Sequence, residues 1–588
     1  MKKIIVSIIL MGFLFTMSIA CVSVFGTKGI QVEQEYQFHA IPYANIYVDD
    51  SNTQGPWNGT LEHPYQYVQD GINASNNGDT VFVFNGIYTI NSSTYIRKSI
   101  RLVGENKYNT IIDAPCLKVY EVNGFELRNF CLGWSDPNIA LFDCSHCIIS
   151  GNTIPLTSTH GILLSGSSNC TVSDNFIHCS GGTCIYVKGS NNEIKDNYLS
   201  GSNYADRGIE IRLGSNDTVV ANNTICNFGG NGMNGGDGIY LDTGCNRVRI
   251  TGNIINNIVG NGLNLHSSNL TISRNKITNS SYGISLSRTD DVFVSDNIIK
   301  NTETGIELVS DTNYNIVISG NIIDNAELDG ITLFDVVNSV LTNNTIKNVF
   351  GYGIYVVTVK NILISDNNIN NCYYGINLSN SNYLDQLDPI ITIKNNMVSY
   401  NYYGIALYGT TFFNVITKNE IRNNVFGVML ASNIKAIRFP FENWIVANNI
   451  SENYYGVYAT ILTSSNHIYY NNFINNTQNA FDKGTNIWYK YKLLGQSMGN
   501  YWDDYTGSDN NGDGIGDSPY DVPPLPFRNK DRYPCMEPID IGNIASSYSE
   551  LIQSNSQPST QPSSQPISKT ATQTTIGSTT LLGKTASK

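Results

Sequence analysis

The sequence predicts an all-β fold in which one chain winds into a single-stranded right-handed parallel β-helix solenoid with an N-terminal and a C-terminal cap. Three observations support this prediction. A short motif recurs every 22 to 30 residues through most of the chain. Apolar and polar residues alternate within each period, which is typical of strands. The composition is low in charge, with 14% charged residues, and rich in turn formers, with 51 Gly in 588 residues.

Composition also excludes several functional classes. Hydrophobic residues make up 41% of the chain and include 36 Tyr, which excludes a solvated disordered chain. The 35 Lys and Arg against 48 Asp and Glu give a net charge of −13. Because no basic patch is available to neutralise phosphates, we expect no nucleic-acid partner.

The N-terminus predicts export. A short basic start precedes an apolar run over residues 4–20, which is typical of a secretory signal peptide, placed here at residues 1–26. A retained membrane anchor and lipidation at Cys21 stay open as alternatives. Beyond the signal, no stretch is long and apolar enough to span a membrane. A secreted or cell-surface protein is therefore expected, and sequons such as those at Asn58, Asn216 and Asn269 fit a glycoprotein.

The rest of the chain divides by composition. Residues 45–115 are expected to hold the N-terminal cap and first coils, and residues 116–480 the repeats. Residues 481–540 are expected to form the C-terminal cap. Residues 541–588 are rich in Ser, Thr, Gln and Pro without apolar periodicity, so they predict a disordered tail.

An Asn two residues before an apolar residue marks each period. Asn tolerates left-handed turns, and stacked amides can bond from coil to coil, so the motif predicts an Asn ladder at a turn. A Gly followed by an apolar residue marks a second point, as at Gly283 and Gly305. Between these marks, Val292, Val294 and Ile299 fit the interior. The repeating Asn residues are Asn152, Asn175, Asn197, Asn223, Asn253, Asn275, Asn297, Asn321, Asn344, Asn367, Asn396, Asn419, Asn448 and Asn472.

This pattern fits a structure in which each strand pairs with the same strand one turn later. The regular Leu frame of the leucine-rich repeat, the rival solenoid, is absent. Stacked coils need covered ends, and Tyr65, Val68 and Ile72 have the helical spacing of a segment that covers the first coil.

Two sets of motifs carry a family resemblance. The first is formed by residues 46–50, 63–65 and 78–81; the second by residues 499–505, 509–517, 519–520 and 531–534. Residues 45–538 resemble the NosD-like branch of the parallel β-helix proteins with the pectin-lyase-like fold, whose repeats are also described as carbohydrate-binding and sugar-hydrolysis repeats. The resemblance implies the fold strongly and an activity weakly. It also implies copper binding, as in a periplasmic-type NosD protein.

A loop near the C-terminus predicts a structural Ca²⁺ site. Oxygen ligands at positions 1, 3, 5 and 9 surround a central Gly, as in loops that bind hard cations. Position 12 is Tyr520 instead of the bidentate Glu of an EF-hand, so another carboxylate must complete the shell. A metal-free Asx turn is the alternative. The predicted ligands are Asp509, Asn511, Asp513, the Ile515 carbonyl and Asp517.

Ladder geometry predicts a candidate catalytic set. Arg212, Asp242 and His266 each lie four residues after a strand-opening Gly, and Glu210 lies two after. In register, these residues share the outer face of one sheet, where Asp242 and Arg212 would orient and tune the His266 imidazole. A surface ion-pair row of little energetic weight is the alternative. The catalytic motifs of polygalacturonases and alginate epimerases are missing from the chain.

Aromatic residues precede the same Gly positions. Tyr374, Tyr403 and Tyr455 would stack along the axis and predict either a sugar-binding platform or an aromatic ladder that seals a turn.

Cysteine placement bears on the copper prediction. Cys144, His146 and Cys147 are soft ligands at plausible spacing, but Cys147 falls at an inward position that is typical of core residues. Two pairs are candidates for disulfides, and the pairing stays open: Cys179 with Cys184, or Cys226 with Cys245.

The sequence therefore favours a secreted or surface β-helix protein that binds extracellular polysaccharide or a surface glycan. A polysaccharide lyase, hydrolase or epimerase is one alternative, and a copper-binding protein is the other.

Overall fold

The computed structural model describes residues 44–542, except 91–93, 134–135, 213, 231–234, 310–311, 383–390, 434–437, 491–496 and 525–528. The predicted signal peptide and nearly all of the predicted tail lie outside the described residues. None of the helices in the described part is long and apolar enough to cross a bilayer.

One short helix, α1 (Val68–Ala74), accompanies the strands in the described ranges. The strands before the long central ones are β1 (Ile46–Val48), β2 (Thr80–Val83), β3 (Gly86–Thr89), β4 (Thr94–Ile96), β5 (Arg101–Gly104), β6 (Thr110–Asp113), β7 (Leu117–Tyr120), β8 (Glu126–Arg128), β9 (Cys131–Leu132), β10 (Ile139–Phe142), β11 (Ile148–Ser150), β12 (Thr153–Thr157), β13 (His160–Ser165), β14 (Thr171–Ser173), β15 (Phe176–Cys179), β16 (Gly182–Lys188), β17 (Glu193–Lys195), β18 (Tyr198–Ser200), β19 (Ala205–Ile211), β20 (Val219–Ala221), β21 (Thr224–Phe228), β22 (Asp237–Leu241) and β23 (Arg249–Thr251). The central strands, several of which run through a corner, are β24 (Ile254–Leu265), β25 (Thr271–Ser273), β26 (Lys276–Leu286), β27 (Asp290–Ser295), β28 (Ile298–Leu308), β29 (Asn313–Ser319), β30 (Ile322–Thr342), β31 (Thr345–Ser365) and β32 (Asn368–Asn382). The remaining strands are β33 (Ile391–Lys394), β34 (Met397–Ser399), β35 (Tyr403–Tyr408), β36 (Val415–Thr417), β37 (Glu420–Arg422), β38 (Phe426–Ala431), β39 (Trp444–Val446), β40 (Asn449–Ser451), β41 (Tyr455–Ala459), β42 (Ser464–Tyr469), β43 (Asn472–Ile474), β44 (Gln478–Asp482), β45 (Thr485–Ile487), β46 (Tyr501–Trp502), β47 (Tyr520–Asp521) and β48 (Lys530–Asp531).

The strands wind into a right-handed parallel β-helix with three sheets, which confirms the predicted fold class. In each coil the chain passes through a first sheet (for example β27), then a second (the start of β28), then a third (the end of β28). Each strand pairs in parallel with the same strand of the next coil, as Val294 pairs with Ile272 before it and Ile318 after it. Between β47 and β48, near the C-terminus, the pairing is antiparallel.

The core is a column of aliphatic side chains enclosed by the three sheets. The predicted inward residues Val292, Val294 and Ile299 are fully buried. Such close-packed stacks of branched side chains supply the hydrophobic stabilisation of the solenoid, at about 25 cal/mol per Å² of apolar surface removed from water.

The corner between the first and second sheets carries the predicted Asn ladder. The Asn367 Nδ2 group donates to Asn396 Oδ1 at 2.9 Å and to the Leu341 carbonyl at 3.0 Å. Its Oδ1 accepts from the backbone N–H and side-chain amide of Asn344, at 2.9 and 3.0 Å. Each buried amide is thereby satisfied by the coils above and below it, which avoids the cost of orphaned polar groups.

One position of the predicted ladder is wrong. Asn471, one residue before the predicted Asn472, donates to Asn500 Oδ1 at 3.0 Å and continues the ladder. The inward residue of this coil is the fully buried Phe473, so the register is one residue earlier than an Asn-x-Ile pattern indicates. Asn472 instead donates to the Ile539 carbonyl at 2.9 Å.

Helix α1 covers the first coil, as predicted. Val68 and Ile72 are buried against it. The Lys98 ammonium donates to the carbonyls of Ile72, Asn73 and Ser75 at 2.7 to 3.0 Å and satisfies the C-terminal end of the helix.

Two buried Trp–Asp pairs close the far end of the core. Trp488 and Trp502 are almost fully buried. Trp488 Nε1 donates to Asp482 at 2.8 Å, and Trp502 Nε1 donates to Asp531 at 2.9 Å. The indole groups therefore fill the end of the apolar column while the two carboxylates satisfy their N–H groups.

The Asp531 carboxyl should make this cap sensitive to pH. Burial raises its pKa from the ordinary 3.8 to about 6, although N–H donors from Asn500, Trp502 and Tyr533 oppose the increase. Since the pKa in the folded state exceeds the unfolded one, this group's stabilisation is complete below pH 3.8 and is lost as the pH rises through about 6. A difference of this size corresponds to about 3 kcal/mol. We expect the fluorescence of Trp502 to titrate near pH 6 and the denaturation midpoint to increase from pH 7 to pH 5.

The matched variant for this titration is Asp531→Asn, which keeps the shape of the side chain and removes its charge. The fluorescence transition near pH 6 should disappear in the variant. A transition that persists unchanged would assign the titration to another group and contradict the prediction.

Candidate outer-face site

Outward side chains of the third sheet form three parallel columns along the axis, named here the outer face. Each coil contributes the residue before its strand-opening Gly, the second residue after it and the fourth after it. Around Gly305 these are Thr304, Glu307 and Val309. The columns place residues from successive coils about 4.8 Å apart, so groups from several coils meet at one surface.

Glu210, Arg212 and Asp242, three members of the predicted catalytic set, lie together on two adjacent coils. One terminal nitrogen of Arg212 lies 2.5 Å from Glu210 Oε1, and the other donates to Asp242 Oδ2 at 3.3 Å. Thr183 Oγ1 donates to the second Glu210 oxygen at 2.9 Å. Only 5% of the Glu210 side chain is exposed, so the group is a buried, partnered charge and not part of a mobile surface row.

Two further members of this network were not singled out from the sequence. Arg207 lies 2.9 Å from Glu210 Oε1, and its guanidinium carbon lies 3.9 Å from the centre of the Tyr240 ring. Asp237 is buried and accepts hydrogen bonds from the side chains of Asn261 and Asn264 at 3.1 and 3.0 Å. Burial raises the pKa of Asp237. Both residues immediately precede a strand-opening Gly, the position that the aromatic pattern marks elsewhere.

His266 lies on the next coil but has a different partner from the predicted one. Its Nδ1 atom lies 2.5 Å from Ser287 Oγ, while Asp242 bonds Arg212. The expectation that Asp242 orients the imidazole is therefore corrected, because the two side chains bond in opposite directions along the axis. Burial lowers the pKa of His266, with the Asp242 charge opposing the shift. The imidazole is accordingly neutral near pH 7.

A second acidic part of the outer face lies further along the axis. Glu307 occupies the column of Glu210, and Asp329 lies on the following coil, where it accepts from Thr332 Oγ1 at 2.8 Å and from the Tyr352 N–H at 3.3 Å. Burial raises the pKa of both carboxyls, and the Asp329 charge raises that of Glu307 further. Within the described ranges neither carboxylate forms an ion pair, so these groups hold a proton more readily than exposed acids do.

The predicted tyrosines form a continuous ladder in the first column. Ring centres lie 4.8 Å apart from Tyr352 to Tyr374, 4.5 Å to Tyr403, 5.1 Å to Phe426 and 5.3 Å to Tyr455. The ring planes deviate by 10 to 23°, so the rings stack face to face. The two faces of Tyr374 and of Tyr403 are consequently covered by other rings, and these residues offer a ligand only edges and hydroxyl groups.

The predicted calcium loop is a turn rich in Asp and Asn, and its candidate metal ligands are all oxygen atoms. Asp509 accepts from the Gly512 and Gly514 N–H groups at 2.8 Å, and Asp513 accepts from the Ile515 N–H at 2.9 Å. Carboxylate, amide and carbonyl oxygens are ligands that suit a hard cation. The carboxylates nevertheless turn towards their own backbone, and no group of three or more His, Cys, Asp or Glu in the described ranges is arranged to hold a metal. Ca²⁺ binding at this loop stays a prediction.

The three candidate copper ligands near residue 146 lie on opposite sides of the β-helix wall. Cys144 and Cys147 are buried in the core, whereas His146 is exposed and its Nδ1 atom bonds Asn123. The three groups therefore do not converge on one ion. Of the two candidate disulfides, Cys179–Cys184 is formed, and Cys226 and Cys245 are both buried thiols.

The fold and the outer face define a class of protein: an extended parallel β-solenoid with a polar and aromatic surface along one sheet. The family model "Right handed beta helix region" matches residues 115–269 and 261–426, just over half of the chain. The model "Periplasmic copper-binding protein (NosD)" matches residues 392–507. The chain belongs to the right-handed parallel β-helix repeat family and is NosD-like. No curated protein matches it.

Several solved structures share the architecture at low identity. The A-module of a mannuronan C-5 epimerase from Azotobacter vinelandii is 15% identical over 71% of this chain and 90% of its own, with a TM-score of 0.29. The tailspike of E. coli bacteriophage HK620 in complex with a pentasaccharide is 12% identical over 64% and 76%, with a TM-score of 0.36. Pectate lyase Pel9A is 15% identical over 50% and 77%, with a TM-score of 0.30. Likeness at this level concerns the fold alone.

Proposed function

We propose that this protein is a secreted or cell-surface carbohydrate-binding β-helix and that its ligand lies on the outer face of the third sheet. The network around Glu210 carries the proposal. Arg212 and Asp242 are held in fixed positions by ion pairs, so their remaining hydrogen-bonding capacity is preorganised for sugar hydroxyl groups. Adjacent aromatic side chains supply the apolar surface that the faces and edges of sugar rings require.

A glycan array with the full-length protein tests this function, followed by titration calorimetry with each bound glycan. Asp242→Ala should weaken binding at least tenfold, since it removes a fixed acceptor and releases Arg212. The matched control is Asp217→Ala, which breaks a surface ion pair with Arg247 away from the outer face and should leave affinity unchanged. An array without any bound glycan would reject the proposal.

A polysaccharide-active enzyme is the second candidate, and the raised pKa values of Glu307 and Asp329 favour it. One carboxyl that holds its proton and one that stays ionised can act as acid and base on a glycosidic bond. The predicted set of Glu210, Arg212, Asp242 and His266 would then position the substrate. The charges of Glu210, Arg212 and Asp242 are already paired with one another, and the His266 imidazole bonds Ser287.

Product formation distinguishes the two candidates. A binding protein releases neither reducing ends nor unsaturated products from any polysaccharide that it binds. Products that disappear in Glu307→Gln but persist in His266→Ala would establish the enzyme with the Glu307 acid. Products that disappear only in His266→Ala would establish the set predicted from the sequence.

Ca²⁺ at the loop of residues 509–517 is proposed as a structural ion of the C-terminal cap. A ligand present at about 100 times its dissociation constant stabilises the folded state by about 3 kcal/mol. We therefore expect EDTA to lower the melting temperature of the protein and excess Ca²⁺ to restore it. In Asp513→Ala the melting temperature should already be lowered and should no longer respond. An equal response of both proteins, or none in either, would contradict the proposal.

A further inference from the structure

Stacked aromatic ladders leave ring faces free only at their ends. Tyr352 contacts Tyr374 at 4.8 Å and Tyr355 at 4.4 Å, with interplanar angles of 23° and 15°. Both faces of Tyr352 are thus covered, and Tyr355 is the terminal ring of the ladder. In register, Tyr355 follows Thr332 of the preceding coil, which contributes no ring. The ladder therefore presents one aromatic face towards the part of the outer face that holds Asp329.

A second, shorter ladder lies near the N-terminal cap on the same sheet. Tyr95 stacks with Tyr120 at 6.0 Å, and Tyr120 stacks with Phe142 at 4.8 Å with an interplanar angle of 13°. Phe142 pairs with Ser165 of the next coil, so the stack ends there because Ser has no ring. The free face of Phe142 is turned along the axis towards the network around Glu210.

The two terminal rings delimit one interval of the outer face. Nine pairing steps separate β10, which carries Phe142, from β31, which carries Tyr355. At about 4.8 Å per coil this interval is about 43 Å long. Its surface is mostly polar, with Ser285, Ser287 and Thr304 between the charged groups. It also carries aromatic rings that belong to neither ladder, on Tyr186, Tyr240, Tyr282 and Phe334. The interval is thus a polar track closed by an aromatic face at each end.

The charges of this interval disfavour a polyanion. Its acids outnumber its bases, and the guanidinium groups of Arg207 and Arg212 are already paired with Glu210 and Asp242. A uronate or sulfate group would therefore meet more carboxylates than cations, with Lys188 as an exposed cation two coils from Phe142. The charged residues are Lys188, Arg207 and Arg212 against Glu210, Asp237, Asp242, Glu307 and Asp329.

We infer that the outer face binds an uncharged polysaccharide chain that runs along the solenoid axis through this interval and turns at each end, where one sugar ring lies across the axis on Phe142 and another on Tyr355. This inference rests on the proposed carbohydrate-binding function and adds the ligand class, its direction and its two stacking points. Hydroxyl groups of the sugars between the two rings bond to the fixed side chains of the polar track. The Tyr374 and Tyr403 rings, covered on both faces, lie beyond the interval.

Calorimetry with cello-, manno- and chito-oligosaccharides of graded length tests the inference, with oligogalacturonates as the charged comparison. Affinity should increase with length until a chain reaches both rings and then level off. Phe142→Ala and Tyr355→Ala should each lower the affinity for chains above this length about tenfold. Phe142→Tyr keeps an aromatic ring and should retain the wild-type affinity for these chains. The matched control is Tyr403→Ala, a ring with both faces covered, which should bind the long chains normally.

The outcomes separate this inference from the function on which it rests. If none of these oligosaccharides or oligogalacturonates binds, the proposed function fails and the inference fails with it. If chains bind without a length step, or if Phe142→Ala and Tyr355→Ala bind normally while melting like the wild type, only the two stacking points are rejected. Tighter binding of oligogalacturonates than of neutral chains would overturn the ligand class. If Phe142→Ala no longer melts cooperatively, Phe142→Leu takes its place beside Tyr355→Ala. Normal binding of long chains by these two variants would then reject the two stacking points.

Discussion

Asn367→Ala is expected to lower the free energy of unfolding by about 4 kcal/mol. The substitution leaves the Asn344 backbone N–H and one N–H of its side-chain amide without an acceptor, and it removes the donor to Asn396 and Leu341. Each buried polar group without a partner costs about 1–3 kcal/mol. Because the side chain is buried in the wall, water cannot replace the lost bonds. Urea denaturation followed by far-UV circular dichroism measures the loss.

The adjacent residue provides the control for this prediction. Asn368 is exposed on the second sheet, where its Oδ1 accepts a long hydrogen bond from Asn370 at 3.3 Å. Asn368→Ala should change stability by less than about 0.5 kcal/mol, as is usual for surface positions. Equal effects of the two substitutions would show that the ladder bonds do not stabilise the solenoid.

Gly305→Ala is expected to destabilise the protein by about 3 kcal/mol. A Cβ atom at this position would lie 2.5 Å from the Gly330 carbonyl oxygen and 2.7 Å from the Ile323 side chain. The first contact is with backbone of the next coil, which can move only if the parallel pairing there is disturbed. Overpacking a close-packed interior typically costs 1–3 kcal/mol. This close approach explains why Gly opens the strands of the third sheet.

Gly235→Ala is the matched control, since among the described residues a Cβ atom there would meet the Gly260 Cα first, at 3.7 Å. This is ordinary van der Waals contact, and thermal denaturation should give nearly the wild-type melting temperature. A larger loss at Gly235 than at Gly305 would contradict the packing argument.

The parts of the fold that repeat were predictable from the sequence. Val292, Val294 and Ile299 are inward because the alternation of a strand fixes its faces, and parallel stacking allows only one register that buries them. The Asn ladder follows from the same repetition. The exception at Asn471 arises where Phe473 replaces the usual aliphatic residue after the corner, so an apolar residue one position later imitates the motif.

The hydrogen-bond partners of the outer-face side chains were less predictable from the sequence. The pattern indicates which residues share a column, but it does not indicate whether a side chain bonds to the coil before or after its own. Asp242 bonds back to Arg212, whereas His266 bonds forward to Ser287. These choices depend on side-chain length and rotamer, which periodicity does not encode. The covered faces of the tyrosines likewise depend on ring tilt.

The Asn corner also has a consequence for how such chains diversify. Its bonds are the same at every step, so a whole turn can be gained or lost by duplication or deletion without any new core or corner having to arise. The number of turns then sets the length of the molecule along the solenoid axis. Its chemistry is set separately, by the three outward positions that each turn leaves free to vary.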